Sequence, residues 1–168
     1  MATLQWSAAL ALNVLAMDET HKEFVDLLAA VESATDAQLG MRWQALLAHT
    51  EAHFGQEDQW MQATGFASGN CHATQHRVVL EIMQEGAKQA ADGDCTMVRG
   101  MVPELAAWFS HHAQTMDAAL AQHMQRVGLD PVTGAVRHPQ ALPQDLIRGC
   151  GGACSLPSDP AAPVQQAA

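Results

Sequence analysis

The feature that most restricts the fold is a set of four segments in which apolar residues recur at three- and four-residue steps. In the first segment Phe24, Leu27, Leu28 and Val31 follow this spacing, which places them on one face of a helix. The chain contains neither sustained two-residue alternation nor the dipeptides typical of hairpins, so strands are not expected. Four helices with short connections predict an all-α, up-down-up-down four-helix bundle.

Turn and capping residues set the predicted helix boundaries, which give helices over 17–33, 37–64, 70–91 and 96–127. Asp18 is the candidate N-cap of the first helix, and Gly65 and Gly128 close the second and the fourth. Pro103 lies inside the fourth segment. It either kinks that helix or marks its true first turn.

Both ends of the chain lack this periodicity. Residues 1–16, which include Trp6, predict an N-terminal arm packed on the bundle. Residues 129–168 are rich in proline and glycine and poor in periodic apolar residues, which favours an irregular or disordered tail. We therefore predict one bundle domain over residues 1–128, followed by a tail over residues 129–168.

Charge and hydropathy exclude several partners. The chain carries 18 acidic against 8 basic residues, a net charge of -10, which would repel nucleic acid and anionic membrane surfaces. A basic protein partner is compatible with it. No apolar stretch approaches the roughly 20 residues of a membrane span, and no basic residue precedes the apolar stretch 8–16 as in a signal peptide. Four scattered cysteines do not form a dense disulfide framework, so a cytoplasmic location is expected.

Nine histidines are unusual for this length, and five of them form a pattern with two carboxylates. One helix carries a lone histidine and each of the other three carries a pair: His21, then His53 and Glu57, His72 and His76, and His112 and Asp117. Residues four apart project from the same helix face. A single pair could arise by chance, but one pair on each of three helices predicts a buried metal centre.

The number of ligands decides the kind of metal. Five imidazoles and two carboxylates exceed the four ligands of a zinc site and are too rich in nitrogen for calcium or magnesium. Two transition-metal ions fit if Glu57 and Asp117 bridge them. With an added oxo or hydroxo bridge, an ion with three histidines is six-coordinate, whereas one with two keeps an open position for a small molecule. Imidazole and carboxylate donors suit iron.

The spacing of His112 and Asp117 does not fit an ideal helix. Five residues at about 100° each leave the two side chains roughly 140° apart. Both can face one metal pair only if the helix carries a π-type bulge between them. We predict that irregularity.

The remaining histidines and cysteines have weaker interpretations. His49 lies four residues before His53 and competes with it, although Glu57 favours His53 as the ligand. His111, next to a predicted ligand, points about 100° away, and surface positions are expected for His123 and His138. Cys71 is expected to be a packed or half-buried thiol. For Cys150 and Cys154 a disulfide, a redox pair and a metal site remain open beside a solvated pair of thiols.

The ordered set of one His, HxxxE, HxxxH and HxxxxD resembles the signature of the hemerythrin family. The flanking segments MDETHKEF (17–24), HFGQEDQWM (53–61) and WFSHHAQTMD (108–117) are similar to its bacterial single-domain members. The resemblance covers about residues 5–127. It implies two non-haem irons, one bound by His72, His76 and His112 and the other by His21 and His53, with Glu57 and Asp117 bridging.

Reversible binding of dioxygen, for carriage, storage or local supply, is the function that the resemblance implies, rather than catalysis. Some of Phe24, Leu28, Trp108 and Phe109 should line the pocket and exclude water. Two alternatives stay open: a sensor of oxygen or redox state that acts through a partner protein, and a di-iron oxidase, peroxidase or nitric-oxide-handling enzyme. The Glu-x-x-His pairs of carboxylate-rich di-iron oxidases are absent from the sequence.

Overall fold

The computed structural model describes residues 3–149 and confirms the predicted helical bundle. Its helices are α1 (Leu15–Glu32), α2 (Asp36–Ala63), α3 (Cys71–Ala91), α4 (Thr96–His112), a π-helical turn (Ala113–Asp117) and α5 (Ala118–Val127). The last three follow one another without a break and together form the fourth helix of the bundle. Helix boundaries agree with the predicted ones to within two residues.

Local chemistry explains where the helices begin and end. Thr35 and Gln38 form a capping box at the start of α2, and the Asn70 side chain accepts from the Ala73 N–H at the start of α3. Gly128 ends α5 in the left-handed conformation with φ +64°. A Cβ there would also lie 2.9 Å from the His138 ring, so conformation and space both require glycine.

Two details differ from the sequence-based expectation. Asp18 lies within the first turn of α1, and its Oδ1 accepts from the Leu12 N–H at 2.7 Å instead of capping the helix. Pro103 lies well inside α4, which begins at Thr96. It therefore does not mark the first turn of that helix.

Each helix packs against two neighbours. The pairs in contact are α1 with α2, α2 with α3, α3 with α4, and α4 with α1. The short connections make sequential helices antiparallel, so the four helices enclose a common interior. None of the helices within residues 3–149 is long and apolar enough to cross a membrane.

The interior contains two apolar clusters. The first includes Phe24, Trp43 and Phe109 and draws on α1 to α4. The second includes Met17 and Trp60 and draws on α1, α2, α5 and the segments next to them. Between these clusters along the helices lies a layer of buried polar side chains, which contains the histidines and carboxylates of the predicted site.

Both terminal segments lie against the bundle. In the arm, Leu4 and Trp6 pack on the first apolar cluster and Leu10 is part of it, as predicted. The first part of the tail has little regular structure apart from a 3-10 turn at Pro139–Ala141. It is nevertheless attached, because the Trp60 Nε1 donates to the Pro131 carbonyl at 3.0 Å and Ile147 pairs with Phe66 in an isolated bridge.

Candidate metal centre

All seven side chains singled out by the sequence meet in the polar layer between the apolar clusters. Each is buried, with exposed fractions from 0% to 4%: His21, His53, Glu57, His72, His76, His112 and Asp117. α1 supplies one of them, α2 and α3 supply two each, and the fourth helix supplies the last two. The four-residue spacing on α2 and α3 brings each pair to the same inner face, as helix geometry requires.

The two carboxylates lie between two groups of histidines. Glu57 presents Oε1 to the Nε2 of His53 at 3.1 Å and of His21 at 3.8 Å, and Oε2 to the Nε2 of His72 at 3.3 Å and of His76 at 3.4 Å. The oxygens of one carboxylate thus face different groups. This is the arrangement that a bridging carboxylate needs.

The two oxygens of Asp117 also face different histidine groups. Its Oδ2 lies 3.2 Å from the Nε2 of His21, while its Oδ1 lies 3.0 Å from the Nε2 of His72 and 3.1 Å from that of His112. The potential ligand atoms accordingly fall into two overlapping groups. One contains His72, His76 and His112 with both carboxylates, and the other contains His21 and His53 with Glu57.

The π-helical turn explains how Asp117 reaches this position. The Ala118 N–H donates to the Ala113 carbonyl five residues earlier, which is the hydrogen bond of a π-helix. The wider turn removes the angular offset that five residues would produce in an α-helix. Both His112 and Asp117 therefore face the interior, and the predicted irregularity is confirmed.

At this site burial and the neighbouring charges shift the pKa values in opposite directions. Burial by itself lowers the pKa of His21, but the carboxylates of Asp117 and Glu57, 3.2 Å and 3.8 Å from its Nε2, outweigh it and raise that pKa to about 9. His72 behaves in the same way, with its pKa also raised to about 9. For His112 burial prevails and lowers the pKa. Burial raises the pKa of both carboxyls, but the surrounding histidines overcome it and hold each pKa well below its usual range.

The donor set fits metal ions better than it fits a network of hydrogen bonds. Several buried ligand atoms lack a hydrogen-bond partner, among them both ring nitrogens of His21, the Nε2 of His72 and both oxygens of Asp117. Unpaired buried polar atoms are costly, and native structures satisfy nearly all of them. Two cations among these nitrogens and oxygens would satisfy them and would offset the burial of two carboxylates.

Two outer partners of the histidines were not identified from the sequence. The Gln75 Oε1 lies 3.3 Å from the His112 Nδ1 and accepts from the Trp108 Nε1 at the same distance. The Asp58 Oδ1 lies 3.7 Å from the His76 Nδ1. Such contacts fix ring orientation in metal sites. Each of the two residues is adjacent in sequence to a predicted ligand, but no spacing rule distinguishes them from other polar residues.

Aromatic rings form the apolar wall of the site. Phe109 meets the His21 ring edge-on at 5.2 Å between centroids, and Phe24 stacks behind Phe109 at 4.3 Å. Trp108 instead stacks on His112 at 4.4 Å, on the side of the three-histidine group. Phe54 is a further wall residue and stacks on His76 at 3.8 Å.

The histidines outside the signature separate into three kinds. His49 is half-buried and both of its nitrogens face away from the centre, Nε2 toward the Thr20 carbonyl at 3.1 Å and Nδ1 toward Glu23 at 3.6 Å. His111 and His138 are exposed, as expected. The expectation for His123 was wrong. Its ring is 6% exposed, and its Nε2 donates to the Thr64 carbonyl at 2.8 Å in the α2–α3 connection.

The cysteines also require a correction. Cys71 is half-buried, as expected, but its sulfur takes part in a disulfide bond and is not a thiol. Cys95 is a free thiol. The predictions for Cys150 and Cys154 lie outside the described residues.

Comparison with known proteins identifies the family. Residues 13–124 match the family profile described as the hemerythrin HHE cation binding domain. The chain is 39% identical over 130 residues to a bacteriohemerythrin of Ralstonia nicotianae (strain ATCC BAA-1114 / GMI1000), covering 77% of this chain and 95% of that protein. It is 23% identical over 122 residues to a bacteriohemerythrin of Methylococcus capsulatus (strain ATCC 33009 / NCIMB 11132 / Bath), covering 70% and 93% respectively. No solved structure matches. With its bundle, its buried cluster of histidines and carboxylates, and a family match over most of its length, the chain belongs to the hemerythrin family.

Proposed function

We propose that the protein binds dioxygen reversibly at two non-haem iron ions. In this proposal His72, His76 and His112 hold one iron, His21 and His53 hold the other, and Glu57 and Asp117 bridge them. The main observation in its support is that the two oxygens of each carboxylate face different histidine groups. A single metal ion would not require the two oxygens of one carboxylate to face different groups.

The two groups differ in their number of histidines, and this difference supports binding of a small molecule. Glu57 belongs to both groups and Asp117 to the first, with its Oδ2 also 3.2 Å from His21, but the first group offers three imidazoles and the second two. If both carboxylates bridged, an iron held by the two-histidine group would have one protein ligand fewer and would keep a position for an external ligand. Two ferrous ions supply the electrons that reversible dioxygen binding requires.

The surroundings of the two-histidine group favour release of the ligand intact. His21 is covered by Phe109, with Phe24 behind it, and Phe54 lies against His53 at 5.4 Å between centroids. The His49 ring lies 6.2 Å from that of His53 between centroids, but its nitrogens are directed toward Thr20 and Glu23. Apolar walls exclude water, and a site without a ready proton donor does not assist cleavage of the O–O bond.

A spectroscopic oxygenation experiment tests the proposal. The purified protein is loaded with ferrous iron under anaerobic conditions, exposed to air and then degassed, with visible spectra recorded at each stage and iron counted on the same sample. We expect two irons per chain and a charge-transfer band that appears with air and fades on degassing. His21→Ala, which removes a ligand from the two-histidine group, should lose the band, while the exposed control His111→Ala should retain it.

Other outcomes would redirect the assignment. Irreversible bleaching to a ferric spectrum with retained iron would favour the sensor or enzyme interpretation over a carrier. A chain that takes up no iron under these conditions would contradict the ligand assignment itself.

A further inference from the structure

Two rings of the three-histidine group (His72, His76 and His112) have a polar partner on their Nδ1 side. The Gln75 Oε1 lies 3.3 Å from the His112 Nδ1 and accepts from the Trp108 Nε1 at the same distance. An indole N–H can only donate, so the Gln75 atom that faces it is the carbonyl oxygen. The His112 Nδ1 faces the same oxygen and therefore carries the hydrogen, which leaves the lone pair of the neutral ring on Nε2.

His76 has a comparable contact with Asp58. Its Nδ1 lies 3.7 Å from the Asp58 Oδ1, and both atoms are buried without a hydrogen-bond partner. A carboxylate only accepts, so it favours a hydrogen on the Nδ1 of His76 and a lone pair on the Nε2. The Nε2 atoms of His76 and His112 lie 3.1 Å apart. The two lone pairs therefore converge, as two ligands of one metal ion must.

The two-histidine group (His21 and His53) has no such outer partners within the part of the chain that the structure describes. The Nδ1 atoms of both rings are buried without a hydrogen-bond partner, and Phe109 and Phe54 lie against the rings. The His53 Nε2 lies 3.1 Å from the Glu57 Oε1, so a neutral ring places its hydrogen there. That nitrogen is the one that would bind a metal ion, and its hydrogen must first leave.

Access from solvent also lies on the side of the three-histidine group. A cleft of about 430 Å³ lies between α2 and α3, and the side chains in its wall include one ligand ring, three carboxylates and one guanidinium: His76, Glu51, Asp58, Glu81 and Arg77. An excess of carboxylates in a cleft raises the local concentration of cations. A metal ion that enters there meets the three-histidine group first.

We propose that Gln75 and Asp58 are positioning residues that preset the three-histidine group, so that this group takes up its metal ion before the two-histidine group does. The inference rests on the proposed ligand assignment and adds an order of filling to it. A ring that is already held with its lone pair inward needs no change of tautomer when it binds a metal ion. Outer partners of this kind change metal affinity by about 10–100-fold.

Zinc titration of the metal-free full chain, followed by NMR, tests the order without iron or dioxygen. Zinc is diamagnetic, so the imidazole signals of both groups can be followed. At one equivalent we expect the signals of the three-histidine group to move to their bound positions, while those of the two-histidine group move only with the second equivalent. Simultaneous filling, or filling of the two-histidine group first, would overturn the proposal. Absence of zinc binding would overturn it together with the ligand assignment, whereas ordered filling without reversible oxygenation would contradict the dioxygen proposal alone.

Gln75→Leu tests the positioning role, because it removes the acceptor and keeps a side chain of similar size. In the metal-free variant the imidazole nitrogen chemical shifts of His112 should show both tautomers, whereas the unaltered chain shows the Nδ1–H form. The affinity for the first zinc ion should fall about 10–100-fold, with the helical circular dichroism retained. Gln75→Glu keeps an acceptor oxygen and should restore both properties. The matched control Gln89→Leu, which loses a hydrogen bond to Glu85, should behave as the unaltered chain does. An unchanged tautomer and affinity in Gln75→Leu would refute the role of Gln75.

Asp58→Ala tests the second partner in the same titration. We expect the affinity for the first zinc ion to fall within the same range, and Asp58→Asn, which keeps an acceptor oxygen, to recover most of it. Asp26→Ala makes the same change at an exposed position of α1 and should leave the affinity unaltered. Equal affinity in Asp58→Ala and in the unaltered chain would show that Asp58 does not position His76.

Discussion

At the scale of single residues, the site depends on two carboxylates whose oxygens are divided between two histidine groups. The two carboxylates carry negative charge in a buried layer, where burial by itself disfavours the charged form. Glu57 and Asp117 are both fully buried, and the surrounding imidazoles hold the pKa of each carboxyl below its usual range. Neutralising one carboxylate should therefore affect the site more than it affects the fold.

Glu57→Gln tests this directly. The amide has one carbonyl oxygen and no charge, so it cannot face both histidine groups with an anionic oxygen. We expect iron to fall below two per chain while the helical circular dichroism is retained, with both measured on the same preparation. Glu51→Gln is the matched control, since it makes the same change at an exposed position of α2. Full iron content in Glu57→Gln would contradict the bridging role.

Proton release on metal uptake is a second prediction at this scale. In the metal-free chain the pKa of His21 and of His72 is raised from 6.5 to about 9, so both rings are largely protonated at pH 7.5. Metal binding requires neutral imidazoles and should release those protons. Anaerobic titration calorimetry with ferrous iron, in two buffers of different ionisation enthalpy, measures their number. Buffer-independent heats at pH 7.5 would contradict the prediction.

The same shifts determine how the stability of the metal-free chain depends on pH. A histidine whose folded pKa exceeds its unfolded value stabilises the fold fully below the unfolded value. For His21 and His72 that contribution is present below about pH 6.5 and is lost as the pH rises through about 9. Urea unfolding of the metal-free chain at pH 6 and pH 9.5 should show the lower stability at pH 9.5, and equal or higher stability at pH 9.5 would contradict this prediction.

At the scale of secondary structure, the π-helical turn is the element on which the site most depends. It occupies Ala113–Asp117 and lets residues five apart share a face. An α-helix of the same length would bring either His112 or Asp117 to the interior, but not both. The π-helical turn is thus the local structure that lets the two residues of the HxxxxD spacing face the same side of the helix.

Inserting an alanine after the exposed residue Gln114 should put the fourth helix out of phase beyond the π-helical turn. His112 and the shifted aspartate would then lie six residues apart, and every later residue of the fourth helix would rotate by about 100°. We expect iron binding to be lost and the second apolar cluster to be disturbed, because Leu120 and Met124 belong to it. Gln114→Ala, which keeps the residue count, should bind iron normally. Iron assays and thermal unfolding of both variants distinguish these outcomes.

At the scale of the whole molecule, two apolar clusters enclose the polar layer and make its burial possible. The first cluster should therefore govern stability without governing metal content. Leu46 is fully buried there, about two helical turns before His53. Leu46→Ala should cost roughly 2–5 kcal/mol of unfolding free energy, measured by urea unfolding of the metal-free chain. Iron per folded chain should stay unchanged, and a loss of iron in fully folded protein would contradict this separation.

Much of the architecture could be predicted from the sequence because it is local. The four helices follow from apolar periodicity and capping residues, and the pairs of candidate ligands follow from residues that share a helix face. The π turn could also be predicted, because a spacing of five residues places His112 and Asp117 on different faces of an α-helix. In each case the information lies within a few residues of the chain.

Tertiary structure decided what depends on contacts between distant segments. Only the packing of four helices gives each carboxylate oxygen its own histidine group, and only it brings Gln75 to His112, 37 residues away. His123 was expected at the surface, yet its ring is covered beside the α2–α3 connection, with its Nε2 donating to Thr64 59 residues earlier. The tail likewise carries no periodic signal, and its attachment at Cys71 comes from backbone hydrogen bonds. The sequence by itself determined the helices and the candidate ligands they carry, because both are local. The oxygen geometry, the outer partners and the place of the tail arise only when helices meet.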